Sequence, residues 1–183
     1  MPTPLSPRLI RPPSANASSP KSPMNTSFER SAQRTDEWYT PPWIIDALGP
    51  FDLDPCAPSE RFYTANRCYT KQMDGLNQLW SGRVWLNPPY SNPLIGLFLR
   101  KLVLHGNGIA LVFNRMDTAL WHDVIFPAAS AIRILRGRLK FIDNAGVEGD
   151  SAGCGSVLVA WDEYNATVLR DCQIPGKFLR LNP

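Results

Sequence analysis

One ten-residue stretch, residues 82–91 with the sequence GRVWLNPPYS, constrains the fold more than any other part of the chain. Val84, Trp85 and Leu86 form a short apolar run between turn signals, which is typical of a strand buried on both faces of a mainly parallel sheet. The run stops at two consecutive prolines, whose fixed φ angles and missing backbone N–H groups cannot continue a central strand. The stretch therefore predicts a buried strand that ends abruptly in a stiff polar loop.

The loop after this strand has an unusual set of hydrogen-bond acceptors. Asn87 supplies a side-chain amide oxygen, and the carbonyl of Pro88 has no strand partner, so two acceptors are held on a rigid backbone. Together they can take both hydrogens of a planar amino group and expose the nitrogen lone pair to an electrophile, while Tyr90 offers an aromatic face to a heterocycle. We therefore predict a catalytic site for amino-group chemistry at Asn87, Pro88, Pro89 and Tyr90. A purely structural Pro-rich turn is the alternative.

Apolar runs and helical patterns alternate after this loop. Alternation of this kind is typical of a sheet covered by helices. A Gly-rich segment over 143–155 matches no phosphate-binding loop and is expected to be a mobile connection. We predict an α/β fold with a mixed sheet, helices on both faces and an antiparallel C-terminal strand. Its elements are a helix over 93–105, a strand over 109–113, a helix over 119–129 and strands over 131–135 and 155–161.

A helix is also predicted upstream, over residues 41–48. Thr40 is the expected N-cap, and Pro41 and Pro42 suit the first turn of such a helix. N–H groups at a helix N-terminus point outward and favour an anion such as a carboxylate. Thr40 and Pro41 are therefore candidates for ligand binding, and a well-capped amphipathic helix without a ligand is the alternative.

Two aspartates add acidic candidates. Within the segment 51–57, an apolar-acidic alternation broken by proline predicts a short strand that ends at Asp54. Ligands of open α/β sheets bind outside the carboxyl ends of the strands. Ammonium or hydroxyl donors of a ligand would suit this carboxylate; an N-cap or turn role is the alternative. Asp74 precedes a glycine within the irregular segment 58–80, where it serves the same cleft or only a turn.

Four basic residues are candidates for contacts with phosphates. Arg115 follows the predicted strand over 109–113, at the edge where residue 87 also emerges. Arg136, Arg138 and Lys140 alternate along a predicted strand, so they either contact a polyanion from one face or are merely solvated.

The first 34 residues differ in composition from the rest. They contain seven of the 18 prolines and seven serines without any hydrophobic period, so we expect a disordered tail. Five basic residues against Glu29 make this tail more positive than the whole chain, whose formal charge is +3. Such an arm adds salt-sensitive affinity for a polyanion or has no function. Its prolines and Arg8 interrupt every apolar core that a signal peptide needs.

Composition excludes several classes of protein. The 183 residues are 44% hydrophobic without a long apolar run, which predicts one globular domain and no membrane span. Four widely spaced cysteines without C-x-x-C and only two histidines predict reduced thiols, a cytoplasmic setting and no metal site. Nothing in the sequence indicates an oligomeric state.

Five segments together resemble the small phage-type DNA N-6-adenine methyltransferase family over roughly residues 35–161. They are DEWYTPPWI, FDLDPCA, DGL, GRVWLNPPYS and IRILRGRLKF, in this order and spacing. The resemblance implies a Rossmann-like methyltransferase fold, S-adenosylmethionine (AdoMet) as methyl donor, and an adenine flipped out of double-stranded DNA as acceptor. It also implies that residues 35–183 form the methyltransferase domain, with 162–183 as a C-terminal extension.

The resemblance implies roles for individual residues. Asn87 and the carbonyl of Pro88 would hold the adenine amino group, with Tyr90 stacked on the base. Asp54 and Pro55 would lie near the methyl donor.

Thr40 and Pro41 would line the donor pocket of such an enzyme. The chain departs from related enzymes after the first strand, because residues 58–60 read Pro-Ser-Glu where a glycine-rich turn is usual.

Two other functions stay open at this point. One is transfer to another planar amino group: cytosine N4, an RNA guanine or a protein glutamine. The other is a catalytically silent nucleic-acid-binding module. No insertion is large enough for a separate target-recognition domain, so base choice would come from loops over 58–80, 114–121 and 136–154.

Overall fold

The computed structural model describes residues 39–60, 63–142 and 147–182. The predicted tail over residues 1–34 lies outside this part of the chain. The described helices are α1 (Pro42–Leu48), α2 (Leu94–His105), α3 (Phe126–Ala128) and α4 (Glu163–Asp171). The described strands are β1 (Leu53–Asp54), β2 (Arg67–Cys68), β3 (Val84–Leu86), β4 (Gly108–Phe113), β5 (Ala131–Leu135), β6 (Lys140–Ile142), β7 (Glu148–Ser151), β8 (Ser156–Trp161) and β9 (Gly176–Arg180).

Seven of these strands form one mixed sheet in the order β2-β1-β3-β4-β8-β5-β9. Strands β2, β1, β3 and β4 pair in parallel, whereas β8 is antiparallel to both β4 and β5, and β9 is antiparallel to β5. The predicted α/β fold, mixed sheet and antiparallel strand near the C-terminus are therefore confirmed. Strands β1, β3, β4 and β5 end at one edge, which we call the carboxyl edge; the opposite edge is the amino edge.

The chain reverses direction across the sheet at β1. From β1 it passes to β2 on one side, and it then crosses to β3 on the other side. A crevice opens at such a switch point, outside the carboxyl ends of the two central strands, and it is the usual ligand site of open α/β sheets. The sheet order alone thus directs attention to the ends of β1 and β3.

Helices cover both faces of the sheet, as predicted. On one face Phe98, Leu99 and Leu102 of α2 pack with β3, β4 and the buried Trp121 and Val124. On the other face α1, α4 and the β6–β7 hairpin cover Trp85, Leu111 and Leu158. Burying apolar side chains on both faces explains why β3 and β4 are continuous apolar runs instead of alternating ones.

Local sequence signals account for most of these elements. Helix α2 places an apolar stripe on the sheet and ends at Gly106, whose φ of 76° is a left-handed conformation that favours glycine. Gly108 begins β4 where a Cβ would come within 2.5 Å of the Val84 carbonyl oxygen, so this strand start requires glycine. The predicted helix over 119–129 is a π-helical turn, Trp121–Ile125, followed by α3.

Other expectations were wrong. The N-cap of α1 is Pro41, without a side-chain cap, and Thr40 precedes it. Residues 136–139 form a turn, so Arg136 and Arg138 do not alternate along a strand, and only Lys140 belongs to one. Part of the expected mobile connection over 143–155 is strand β7, which pairs with β6.

The elements after β8 were not predicted. Helix α4 begins at Asp162, whose carboxylate accepts a hydrogen bond from the Asn165 backbone N–H at 2.8 Å. Strand β9 extends the sheet beside β5. Within the described residues, no helix combines the length and the apolar character required to cross a membrane.

Candidate functional site

The NPPY loop leaves the sheet directly after β3. Pro88 is buried, and Asn87 and Tyr90 are half-buried. The Tyr90 hydroxyl lies 3.1 Å from the Leu111 carbonyl oxygen and 3.3 Å from Asn87 Oδ1, and its hydrogen is available to either acceptor. The Tyr90 ring stacks on Phe113 with centroids 4.0 Å apart and planes at 24°. Phe113, at the end of β4, therefore supports one face of the ring.

The protonation state of Tyr90 follows from its surroundings. Burial, with a smaller effect of the nearby Cys154 thiol, raises the pKa of the Tyr90 hydroxyl far above its usual value. The hydroxyl consequently stays a hydrogen-bond donor at every physiological pH. Because the hydroxyl can point its one hydrogen at Asn87 Oδ1, it helps to orient that amide oxygen.

Asp54 is a buried carboxylate at the end of β1. Its Oδ2 accepts a hydrogen bond from Thr64 Oγ1 at 2.5 Å, and its Oδ1 accepts one from the Cys56 backbone N–H at 2.9 Å. Burial raises the pKa of this carboxyl to about 6, although both hydrogen bonds act in the opposite direction. None of the ion pairs among the described residues involves Asp54. In the part of the chain that the structure describes, no ion pair balances this desolvated negative charge.

A small pocket opens at the switch point between β1 and β3. We call it the strand-end pocket. It brings together Thr40, Asp54 and Asn87, which are separated by up to 47 positions in the chain but were predicted to share one site. Its lining consists of Tyr39, Thr40, Asp54, Cys56, Pro58, Tyr63, Thr64, Trp85 and Asn87.

The backbone at residues 39–40 is fixed from two sides. Tyr39 forms a two-way backbone bridge with Ile142 of β6, with N–O distances of 3.0 and 3.1 Å. The Tyr63 hydroxyl donates a hydrogen bond to the Thr40 carbonyl oxygen. The β6–β7 hairpin and the loop before β2 therefore hold Thr40 over the end of β1.

Three expected ligand residues do not line this pocket. Pro41 is the buried N-cap of α1, and Pro55 is buried where its carbonyl oxygen packs against Gly75. The carboxylate of Asp74 accepts hydrogen bonds from the Leu76 backbone N–H and Asn77 Nδ2, and so serves its own exposed turn.

The N-terminus of α1 does not support the expected anion site. Pro42 has no N–H, and the Ile44 N–H already donates to the Pro41 carbonyl oxygen at 3.0 Å.

The basic candidates lie on the exposed rim of the carboxyl edge. Arg115 follows β4, and Arg136, Arg138 and Lys140 follow β5, which runs in the same direction. Arg138 Nη1 lies 3.3 Å from the Ala152 carbonyl oxygen, and Lys140 forms an exposed ion pair with Glu148 at 3.4 Å. These side chains are exposed at the same edge of the sheet as the NPPY loop.

Comparisons with known proteins show which family the chain belongs to. The family model described as DNA N-6-adenine-methyltransferase (Dam) matches residues 28–173. The chain belongs to this DNA N-6-adenine-methyltransferase family. It is 30% identical over 149 residues to the DNA N-6-adenine-methyltransferase of Haemophilus phage HP1, covering 76% of this chain and 86% of the phage protein.

A second member of the family aligns over a shorter region. The DNA N-6-adenine-methyltransferase of Escherichia phage T1 is 33% identical over 95 residues, which cover 47% of this chain and 39% of that protein. No solved structure matches the chain. The region matched to the family model includes the strand-end pocket and the NPPY loop but ends before β9.

The sequence did not predict several residues around the strand-end pocket and the NPPY loop. Thr64 reaches Asp54 because β2 pairs beside β1, with Cys68 opposite Asp54, and a two-residue strand gives little signal in the sequence. Phe113 was recognised only as part of a buried strand. Its position at the carboxyl end of β4 was the signal that could have found it.

The described residues contain no group of three or more His, Cys, Asp or Glu side chains that could hold a metal ion. The four cysteines are free thiols.

Proposed function

We propose that this protein transfers a methyl group from AdoMet to N6 of adenine in double-stranded DNA. The observation that carries the proposal is the placement of Asn87, Asp54 and Thr40 in one pocket at the switch point of the sheet. An acceptor for an amino group and an unbalanced carboxylate for a cationic ligand thus lie side by side. Family membership supports the same chemistry.

The proposed fold is the Rossmann-like methyltransferase fold. Support comes from the parallel strands β2, β1, β3 and β4, the switch point at β1, and the reversed strand β8 inserted between β4 and β5. The usual glycine-rich turn is absent after β1, where residues 58–60 are Pro-Ser-Glu. The Asp54 carboxylate, held by Thr64 and the Cys56 N–H, defines this end of the pocket instead.

The residues of the strand-end pocket fit AdoMet. Asp54 provides a negative charge for its ammonium group, and Thr40 provides further polar lining. When bound, AdoMet supplies a methyl group on a sulfonium, so the chain needs no nucleophile of its own. We assign Pro41, Pro55 and Asp74 supporting roles, because they shape the segments around this pocket without lining it.

The NPPY loop is proposed to position the adenine. Asn87 Oδ1 and the Pro88 carbonyl oxygen accept the two hydrogens of the N6 amino group, which exposes the nitrogen lone pair. Pro89 keeps the loop stiff. Tyr90, backed by Phe113, presents its other face to the flipped base. Catalysis then comes from positioning and hydrogen bonding, without a covalent enzyme intermediate.

The exposed basic residues are proposed to bind DNA phosphates. Arg115, Arg136, Arg138 and Lys140 surround the carboxyl edge on the side where β4 and β5 end. Phosphate contacts set position and orientation but not sequence, so the loops around the pocket would choose the target. Because DNA and AdoMet are the substrates, we place the reaction in the cytoplasm of a bacterial or phage-infected cell.

The proposal is tested by incubating the protein with methyl-labelled AdoMet and unmethylated double-stranded DNA, RNA or protein in separate reactions. Mass spectrometry of the DNA nucleosides is expected to find N6-methyladenine. Label in N4-methylcytosine, in RNA or in glutamine would show that the methyl acceptor is that group and not adenine. A calorimetric titration without AdoMet uptake would indicate a silent nucleic-acid-binding module.

A further inference from the structure

Trp85, the middle residue of β3, has a buried polar group that the fold does not use. The side chain is fully buried, and its ring packs on Phe51 with centroids 5.5 Å apart. Its indole Nε1–H has no hydrogen-bond partner among the described residues. Buried polar groups are nearly always paired, so an unpaired N–H beside a pocket indicates a missing ligand. Trp85 borders the strand-end pocket.

The neighbour of Trp85 across the strands is the buried carboxylate. Leu53 of β1 pairs with Val84 of β3, so the next residues, Asp54 and Trp85, lie side by side. Side chains at matched positions of paired strands project to the same face of a sheet. The pocket wall therefore offers one anionic acceptor and one neutral donor next to each other.

This pair is complementary to the two ends of an α-amino acid. An indole N–H can only donate, and an ionised carboxylate can only accept. The amino-acid part of AdoMet carries an ammonium group and a carboxylate on the same carbon atom. Asn87, at the proposed site of transfer, lines the same pocket.

We propose that the Trp85 indole N–H donates a hydrogen bond to the carboxylate of the AdoMet amino-acid group, while Asp54 receives its ammonium group. This inference rests on the proposed function and adds a residue that recognises the methyl donor. Trp85 binds the donor and takes no part in activating the amino nitrogen.

The test compares two ligands that differ in the amino-acid group. S-adenosylhomocysteine contains it, whereas 5′-methylthioadenosine keeps the nucleoside and the sulfur but lacks it. Calorimetry of Trp85→Phe is expected to show at least about ten-fold weaker binding of S-adenosylhomocysteine, the effect of one hydrogen bond to a charged group. Binding of 5′-methylthioadenosine should stay within about two-fold of the wild type, within the usual effect of a neutral substitution.

Trp161→Phe is the matched control. Trp161 is also buried with an unpaired indole N–H, but it lies opposite Gly108 at the amino edge of the sheet. This variant should bind both ligands like the wild type. Unchanged affinity of Trp85→Phe for S-adenosylhomocysteine, or an equal loss for both ligands, would overturn the inference.

A second measurement covers the case in which Trp85→Phe does not fold. In the wild-type protein, the indole ¹H resonance of Trp85, assigned through its contacts with Phe51, should move downfield with S-adenosylhomocysteine and stay in place with 5′-methylthioadenosine. A resonance that S-adenosylhomocysteine leaves unmoved would also overturn the inference. Failure of the wild-type protein to bind S-adenosylhomocysteine would instead contradict the proposed function itself.

Discussion

Two buried charged residues, Arg83 and Asp54, lie at opposite edges of the sheet, next to or within neighbouring strands. Their hydrogen-bond partners differ in number and kind. Arg83, at the amino edge, donates from Nη1 to the Leu48 and Pro50 carbonyl oxygens at 2.7 and 2.8 Å and from Nε to Asn165 Oδ1 at 2.7 Å. Its guanidinium also lies 4.2 Å from the centroid of the Phe51 ring. Asp54, at the carboxyl edge, has two hydrogen-bond donors and no ion pair among the described residues.

The two edges of the sheet differ in how their buried polar and charged groups are stabilised. At the amino edge, hydrogen bonds of Arg83 and Asn165 join α1, β3 and α4. Arg83 Nη2 and Trp161 Nε1 have no partner among the described residues, but the carboxylates of Asp52 and Asp162 act electrostatically on the guanidinium and partly balance its charge. At the carboxyl edge, Asp54 keeps an unbalanced charge and Trp85 an unpaired donor, which disfavours the free protein. Such groups persist at functional sites because a ligand completes them.

The largest expected effect is on methyl transfer. It distinguishes Asn87, at the carboxyl edge, from the buried Asn165, at the amino edge. Asn87→Ala removes one of the two acceptors for the amino group, and we expect a loss of methyl transfer of about 10²–10³-fold or more, the range for one preorganised hydrogen-bonding group. Affinity for S-adenosylhomocysteine should change little. Single-turnover transfer and calorimetry measure the two quantities.

Asn165→Ala is the matched control at the amino edge. The Asn165 side chain joins Arg83 to Asn107 and Trp161, so its loss should lower the free energy of unfolding by about 2–3 kcal/mol. Transfer per folded molecule should be unchanged. A folded Asn87→Ala variant that methylates DNA at the normal rate would contradict a catalytic role for Asn87.

The second prediction concerns pH and the cost of keeping Asp54 buried. The pKa of Asp54 is about 6 in the folded protein, above the value of 3.8 for an exposed aspartate. Between these values the folded state binds a proton that the unfolded state lacks, so raising the pH lowers stability. Asp54→Asn lacks this proton. Its stability relative to the wild type should rise by on the order of 2–3 kcal/mol between pH 4 and pH 7.

Urea unfolding of both proteins across this pH range provides the measurement. Other carboxyl groups titrate equally in the two proteins, so they cancel in the difference. Parallel pH profiles for wild type and Asp54→Asn would show that Asp54 is not held at a desolvated position. The same substitution should weaken binding of S-adenosylhomocysteine, because it removes the proposed partner of the ammonium group.

The third prediction concerns the aromatic pair at the carboxyl edge. Tyr90→Ala removes the ring that stacks on Phe113, and we expect about ten-fold weaker handling of the flipped base, consistent with stacking energies of roughly 1–3 kcal/mol. The KM for duplex DNA should rise, with S-adenosylhomocysteine affinity unchanged. Tyr90→Phe, which keeps the ring, should lie much closer to the wild type; equal defects in both variants would contradict stacking.

The smallest effect is expected on the exposed rim. Each alanine substitution of Arg115, Arg136, Arg138 or Lys140 should make the logarithmic salt dependence of DNA binding shallower by about one, if that side chain neutralises one phosphate. Fluorescence anisotropy with short duplexes at several salt concentrations measures this dependence. Arg180, in an exposed ion pair with Glu163 on the amino edge, provides the control. If Arg180→Ala changes the salt dependence as much, DNA does not bind at the carboxyl edge.

Parts of this fold could be predicted from sequence because burial leaves a local signal. Strands β3 and β5 were predicted with their observed bounds, and β4 and β8 to within one residue, because each is an apolar run between turn residues. Hairpin strand β7 was missed because its sequence, EGDS, has no hydrophobic period. Strand β9 is mostly exposed, so burial leaves little signal in its sequence, and its pairing with β5 became apparent only in the structure.

The site was predictable to a similar degree. Thr40, Asp54 and Asn87 follow or precede recognisable elements, and the rule that strand ends converge placed them together. Thr64 and Trp85 required the pairing of β1 with β2 and β3, which depends on tertiary structure. In the sequence Trp85 is an ordinary core residue, because a sequence shows burial but not whether an indole N–H finds a partner.

The most direct test of the central claim is methylation mapping of DNA from cells that lack adenine methylation and express either the wild-type protein or Asn87→Ala. We expect N6-methyladenine in a defined sequence context with the wild-type protein and none with the variant. DNA without N6-methyladenine in wild-type-expressing cells, or equal methylation by Asn87→Ala, would contradict it.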